Sequence, residues 1–128
     1  GVMHRNTFLD SPRLLDRYYR VRGNERLMFA GQITGVEGYV ESTASGCLAA
    51  LELARRLEGK APIDFPRETA MGAMALYVSD QSVVNFQPMN INFGLIPQLG
   101  YRVKGKRNKN AAISQRALET LAGLDLGV

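Results

Sequence analysis

The sequence contains one cysteine, one histidine and no tryptophan among 128 residues. A lone thiol, Cys47, excludes an internal disulfide and any metal site built from cysteines alone. A reducing, cytoplasmic setting is the expectation. The lone imidazole, His4, has no Cys, Asp or Glu cluster near it, so no metal is expected. No Ser/His/Asp arrangement can be assembled for nucleophilic catalysis. No apolar run approaches the roughly 20 residues of a membrane span, and no signal-peptide pattern opens the chain. Membrane is therefore not an expected partner. Acid is missing from one stretch in particular. Residues 102–116 carry Arg102, Lys104, Lys106, Arg107, Lys109 and Arg116 and no Asp or Glu.

What is present suits one globular unit with a core, at 45% hydrophobic and 22% charged residues. The net charge of +4 is compatible with an anionic partner without naming one. The stretch "GQITGVEGYVES", residues 31–42, places Gly31, Gly35 and Gly38 just after an apolar run. Glycine is favoured where φ must be positive or where something approaches the backbone closely. A strand, a glycine turn and a helix start together point free N–H groups and the positive end of a helix dipole at a ligand. Phosphate or an anionic ring edge would fit. The spacing G-x-x-x-G-x-x-G is not the dinucleotide fingerprint G-x-G-x-x-G. By spacing alone, plain helix-to-sheet packing is favoured over cofactor binding.

Around that turn the pattern predicts short elements. "MHRNTF" (3–8) reads as extended, and Asp10-Ser11-Pro12 reads as a turn. "DRYYRVR" (16–22) and "RLMFAG" (26–31) read as strands paired across Gly23-Asn24. Thr34 and Glu37 match a capping box. From there Val40, Ala44, Cys47, Leu48, Leu51, Ala54 and Leu57 recur at helical spacing, with Gly59 as the stop. Cys47 falls on the apolar side and is expected to be buried and inert. Pro62 and Pro66 mark a connection, and a helix is predicted over 68–79 with Met71, Met74 and Val78 inward. "NFQPMNINFGLIP" (85–97) reads as an ordered, irregular loop. A last helix is predicted from about Asn110, presenting Ile113, Ala117, Leu118 and Leu121. The basic run has Tyr101 at one edge and no interleaved aromatics. It is either a solvated flank or a surface that contacts nucleic-acid backbone without reading sequence.

Four segments carry a family resemblance: "MHRNTF", "LMFAGQITGVEGYVESTASG", "FPRETAMGA" and "NFQPMNINFGLIP". End to end, the chain resembles the C-terminal part of the folate- and FAD-dependent tRNA (uracil-5-)-methyltransferases, the TrmFO family. Glucose-inhibited division protein A, a related tRNA-modifying flavoprotein, shares the Ala-Gly-Gln and Gly-Tyr parts. There the glycine turn is usually followed by Thr-Thr-Gly-Tyr-Glu-Glu. The run Val36-Glu37-Gly38-Tyr39-Val40-Glu41-Ser42 points instead to the methyltransferase.

The resemblance implies an α/β fold, the C-terminal portion of a Rossmann-like FAD-binding domain. Residues 1–31 would supply short strands, 32–59 the glycine turn and a long capped helix, and 60–128 two further helices and the ordered loop. It implies methylation of uridine C5 in the tRNA T-arm, with methylenetetrahydrofolate as carbon donor, reduced FAD as electron donor and NAD(P)H as reductant. The expected partners are tRNA and the N-terminal part of the same protein. By analogy, Gly31, Gln32, Ile33, Thr34, Gly35, Val36, Gly38 and Tyr39 would contact FAD. His4 would stack on the pterin, with Arg5 and Asn6 framing the pocket and Tyr39 as a second wall. Lys104, Lys106, Arg107 and Lys109 would contact RNA. The family's Cys-Ser-Asn-Ser nucleophile segment does not occur in these residues, and Cys47 does not inherit its role. The 128 residues are expected to be inactive alone. The alternatives are a wobble-uridine-modifying flavoprotein of the division-protein type and a non-catalytic basic RNA-binding module.

Overall fold

The computed structural model describes residues 7–127. Its first element is one helical turn, α1 (Ser11–Leu14), where the sequence predicts only a turn. The backbone carbonyl of Asp10 accepts from Arg13 and Leu14, both at 3.1 Å, and Pro12 supplies a φ already suited to a helix start. The expected strand over 16–22 shrinks to β1 (Arg20–Val21). Asp16 is the reason. Its carboxylate accepts from Tyr18 N at 2.9 Å, Arg20 N at 3.1 Å and Arg20 Nε at 2.7 Å, which curls the chain into a turn. Strand β2 (Asn24–Met28) pairs antiparallel with β1 across Gly23, as the turn signal predicts, and starts two residues earlier than expected. Burial and the hydrogen bond to Asp64 push the Tyr18 phenol up to about 12.

Helix α2 (Tyr39–Leu57) follows, with Gly38 as its N-cap and Gly59 just past its end. The capping box does not form. Thr34 lies in a 3-10 turn (Gln32–Thr34), fully buried, and its hydroxyl donates to the Gly31 carbonyl at 2.7 Å. Gly35 and Gly38, with φ of 90° and 95°, break the chain between Thr34 and the helix. The buried face of α2 is Ser45, Leu48, Ala49, Glu52 and Arg55. That is about one residue round from the predicted stripe, whose Val40 and Leu57 are 77% and 79% exposed. Cys47 is exposed, contrary to expectation. The polar members of the buried face are the ones with partners. Ser45 Oγ accepts from Gly31 N, Glu52 accepts from Ile63 N, and Arg55 donates to the carbonyls of Ala61 and Gly127.

Helix α3 (Ala70–Val78) is capped by Thr69, whose hydroxyl accepts from Gly72 N at 3.0 Å. It lies against α2 and α1. The core runs through Leu15, Tyr19, Val36, Leu48, Phe65, Met74, Val78 and Phe86. Residues 79–105 are irregular, a longer stretch than the loop expected over 85–97, with one 3-10 turn (Phe93–Leu95). Helix α4 (Lys106–Ala122) starts four residues before the predicted Asn110. The architecture is mixed α/β, a two-stranded sheet with four helices. Among the described residues no helix is long and apolar enough to cross a membrane.

Gly72 gives one stability prediction. A Cβ there would collide with the backbone carbonyls of Phe65 and Pro66, which cannot swing aside as a side chain can. Gly72→Ala is expected to lower the urea unfolding midpoint, through a loss of stability of about 1–3 kcal/mol, the usual cost of overpacking. A midpoint equal to wild type would show that the 65–66 connection yields.

Candidate functional site

The glycine turn enters α2 as a braced structure. Gly31 N donates to Ser45 Oγ at 2.8 Å, and Ser11 Oγ donates to the Thr34 carbonyl at 2.7 Å. Leu9 N donates to the Ile33 carbonyl at 2.8 Å. The bridge between Val36 and Met89 runs parallel, with Met89 N donating to Gly35 O at 3.0 Å and Glu37 N to Met89 O at 3.2 Å. Among the described residues no side chain caps the N-terminus of α2. A 19-residue helix therefore begins here with first-turn N–H groups available and its positive dipole end outward. The one acid in that turn is Glu41.

The three glycines are not equivalent. A Cβ on Gly35 would lie 2.5 Å from two atoms of the Phe86 ring, and one on Gly38 would collide with the Glu41 carboxylate. Close approach at both is thus answered from within the chain. At Gly31 a Cβ would meet nothing within 4 Å among the described residues. Gln32, Ile33, Gly38 and Tyr39 are exposed, Tyr39 at 94%. Thr34 and Val36 are fully buried, so a ligand could meet only their backbone. These residues suit a flavin: an uncapped helix start offers donors to an electron-rich ring edge, and the Gln32 amide can donate and accept. His4, Arg5 and Asn6 lie outside the described residues.

The basic run sits elsewhere on the chain, at the start of α4. Lys106, Arg107 and Lys109 occupy the first turn of that helix, rather than a loop before it, and Lys104 is exposed just ahead. Gly105 is the N-cap, and the first turn has no acid. Three cations at the positive end of a helix oppose its dipole. None of the four forms an ion pair among the described residues. Arg116 is different, because its guanidinium donates to the carbonyls of Pro97 and Gln98 and ties α4 to the loop.

Sequence reasoning did not single out Phe86, Asn90 or Glu41 as parts of this site. Only the loop's density of asparagine and proline hinted at it, since irregular backbone that stays ordered must be bonded to something. Two apolar grooves flank the turn's exit. One of about 420 Å³ runs from Tyr39 along Val40, Ala44 and Cys47 to Met71. The larger, about 610 Å³, continues from Met71 between Ile91, Phe93, Ile113 and Leu118. Among the described residues neither lining set contains a carboxylate or an imidazole. Among the described residues no group of three or more His, Cys, Asp or Glu could hold a metal.

The amino-acid sequence that forms this turn and helix is similar to that of known proteins. Residues 1–61 match the family model of glucose inhibited division protein A. Curated relatives give a finer placement. One from Bacillus licheniformis is 52% identical over 124 residues, 97% of this chain and 29% of the relative. One from Natranaerobius thermophilus is 57% identical over 121 residues, 94% of this chain and 28% of the relative. One from Ligilactobacillus salivarius is 54% identical over the same length and shares. Each is named methylenetetrahydrofolate–tRNA-(uracil-5-)-methyltransferase TrmFO. Over nearly all of its length the chain is similar to these proteins, and it spans less than a third of their length.

Proposed function

We propose that this chain is the segment of a cytoplasmic TrmFO-type enzyme that closes a flavin site and meets tRNA. The observation that carries the reading is the uncapped start of α2 under a glycine turn, in a chain 52–57% identical to proteins named for this activity. The full-length enzyme would methylate C5 of a T-arm uridine, with methylenetetrahydrofolate as carbon source and NAD(P)H as reductant. When bound, reduced FAD supplies the electrons. The exposed face of Gly31 and Gln32 and the first turn of α2 would hold it, with the dipole favouring an anionic ring edge. Thr34, Gly35 and Val36 would contribute backbone only. Lys104, Lys106, Arg107 and Lys109 would position tRNA phosphates. The nucleophile would come from the rest of the polypeptide, so this segment alone would be inactive.

The test is purification of the full-length protein followed by a flavin spectrum and a methylation assay on a tRNA transcript. Stoichiometric FAD with folate-dependent C5 methylation of the T-arm uridine supports the reading. A colourless protein that binds RNA would overturn it in favour of a basic RNA-binding module. The match of residues 1–61 to the division-protein family favours one further reading, aminomethyl-type modification of the wobble uridine. The same transcript separates the two by the position modified.

His4 carries the folate part of the reading. His4→Ala is expected to raise the methylenetetrahydrofolate KM from a few-fold to about tenfold, because stacking contributes about 0.5–1.5 kcal/mol beyond burial. FAD content should not change. Unaltered folate kinetics would remove His4 from the site.

A further inference from the structure

Loop 85–92 touches the second half of the glycine turn, at Gly35, Glu37 and Gly38. The Phe86 ring fills the space over Gly35. Met89 exchanges two backbone hydrogen bonds with residues 35 and 37. Asn90 Nδ2 donates to the Glu37 carbonyl at 3.1 Å and lies 3.4 Å from Glu41 Oε1. Ile91 N donates to the same carboxylate oxygen at 3.2 Å. Glu41 thereby folds back over Gly38, whose Cβ position it and Asn90 occupy. At its other end the loop is held by α3. Tyr77 donates its hydroxyl to the Gln87 carbonyl at 2.7 Å, and its ring sits 5.4 Å from that of Phe86.

We infer that Glu41 and Asn90 are positioning residues, a clamp through which loop 85–92 sets the shape of the glycine turn. The inference rests on the flavin reading of that turn. Glycines lose more backbone freedom on ordering than other residues, so a turn with several of them does not hold one shape unaided. A ligand that needs a fixed row of N–H groups binds more tightly when that row is already in place. The Glu41 carboxylate makes the bond from Ile91 charge-assisted, and so stronger than a neutral one. Among the described residues its hydrogen-bond donors are Asn90 and Ile91, neither of them on its own helix. The carboxylate is directed at the loop instead.

The experiment compares Asn90→Ala, Glu41→Ala and Glu41→Gln in the full-length protein. Amide hydrogen exchange without flavin and the FAD dissociation constant are the two readouts. Both alanine variants are expected to speed exchange at Glu37, Met89 and Ile91, with α3 unchanged, and to weaken FAD binding about tenfold. Glu41→Gln keeps an acceptor for Ile91 N and is expected to restore most of both losses. Faster exchange with unchanged FAD affinity would overturn the positioning role and leave the flavin reading intact. Unchanged exchange would show that the loop does not clamp the turn. A wild-type protein without flavin would sink the flavin reading and this inference with it, whatever exchange showed. If an alanine variant fails to fold, Glu41→Gln against wild type still decides: a tenfold loss of FAD affinity with unchanged exchange would assign the effect to charge and not to position.

Discussion

Gly31→Val in the full-length protein is expected to lose FAD at least tenfold, while Gly23→Val keeps it. The two glycines make a matched pair. Their φ angles are 83° and 81°, and a Cβ at either would meet nothing within 4 Å among the described residues. A β-branched residue at such a φ carries strain of about 1–3 kcal/mol at both positions. Loss of stability is therefore common to the pair, and loss of flavin is not. Gly35 and Gly38 cannot make this distinction. A side chain on either strikes Phe86 or Glu41 before it could meet a ligand. Equal FAD content in the two valine variants would mean that the open side of Gly31 faces solvent, not cofactor.

Reversing Lys106 and Arg107 to Glu should weaken tRNA binding and stabilise the fold at the same time. Both side chains are exposed in the first turn of α4, where cations oppose the helix dipole and carboxylates favour it. The thermal midpoint is expected to rise slightly. Removing one phosphate-bound cation should flatten the plot of log K against log salt by about 0.7–0.9. Removing two flattens it by roughly twice that, with the greatest drop in affinity at low salt. Flavin content should stay constant. A basic run that merely solvates a flank predicts the same rise in midpoint with no change in tRNA affinity. Filter binding across a salt series separates the two, and an unaltered curve refutes the RNA role. Opposite effects on stability and binding are expected where local helix preference is set aside for a partner.

The glycine turn and the three longer helices were legible because their signals are local. Gly23-Asn24 demands a hairpin turn, Gly59 stops α2, and the apolar spacing of 70–78 needs no distant partner. The basic character of residues 102–116 and the family resemblance were equally plain in the residue order. Other features depended on hydrogen bonds that residue patterning does not show. Asp16 accepts three of them and cancels most of a strand that alternation predicts. The Thr34 and Glu37 spacing allows a capping box, but Glu37 N is taken by Met89, more than fifty residues on. The face of α2 was misjudged for the same reason. Apolarity along the helix favours Val40, Cys47 and Leu57, yet the fold buries Ser45, Glu52 and Arg55. Their partners are Gly31, Ile63, Ala61 and Gly127, none of them on the helix. A polar group can be buried when its hydrogen bonds are met, and only the tertiary structure supplies the other half of each bond. The sequence by itself determined where the chain turns and which residues could meet an anion. The tertiary structure decided which side of α2 faces inward and which glycine faces outward.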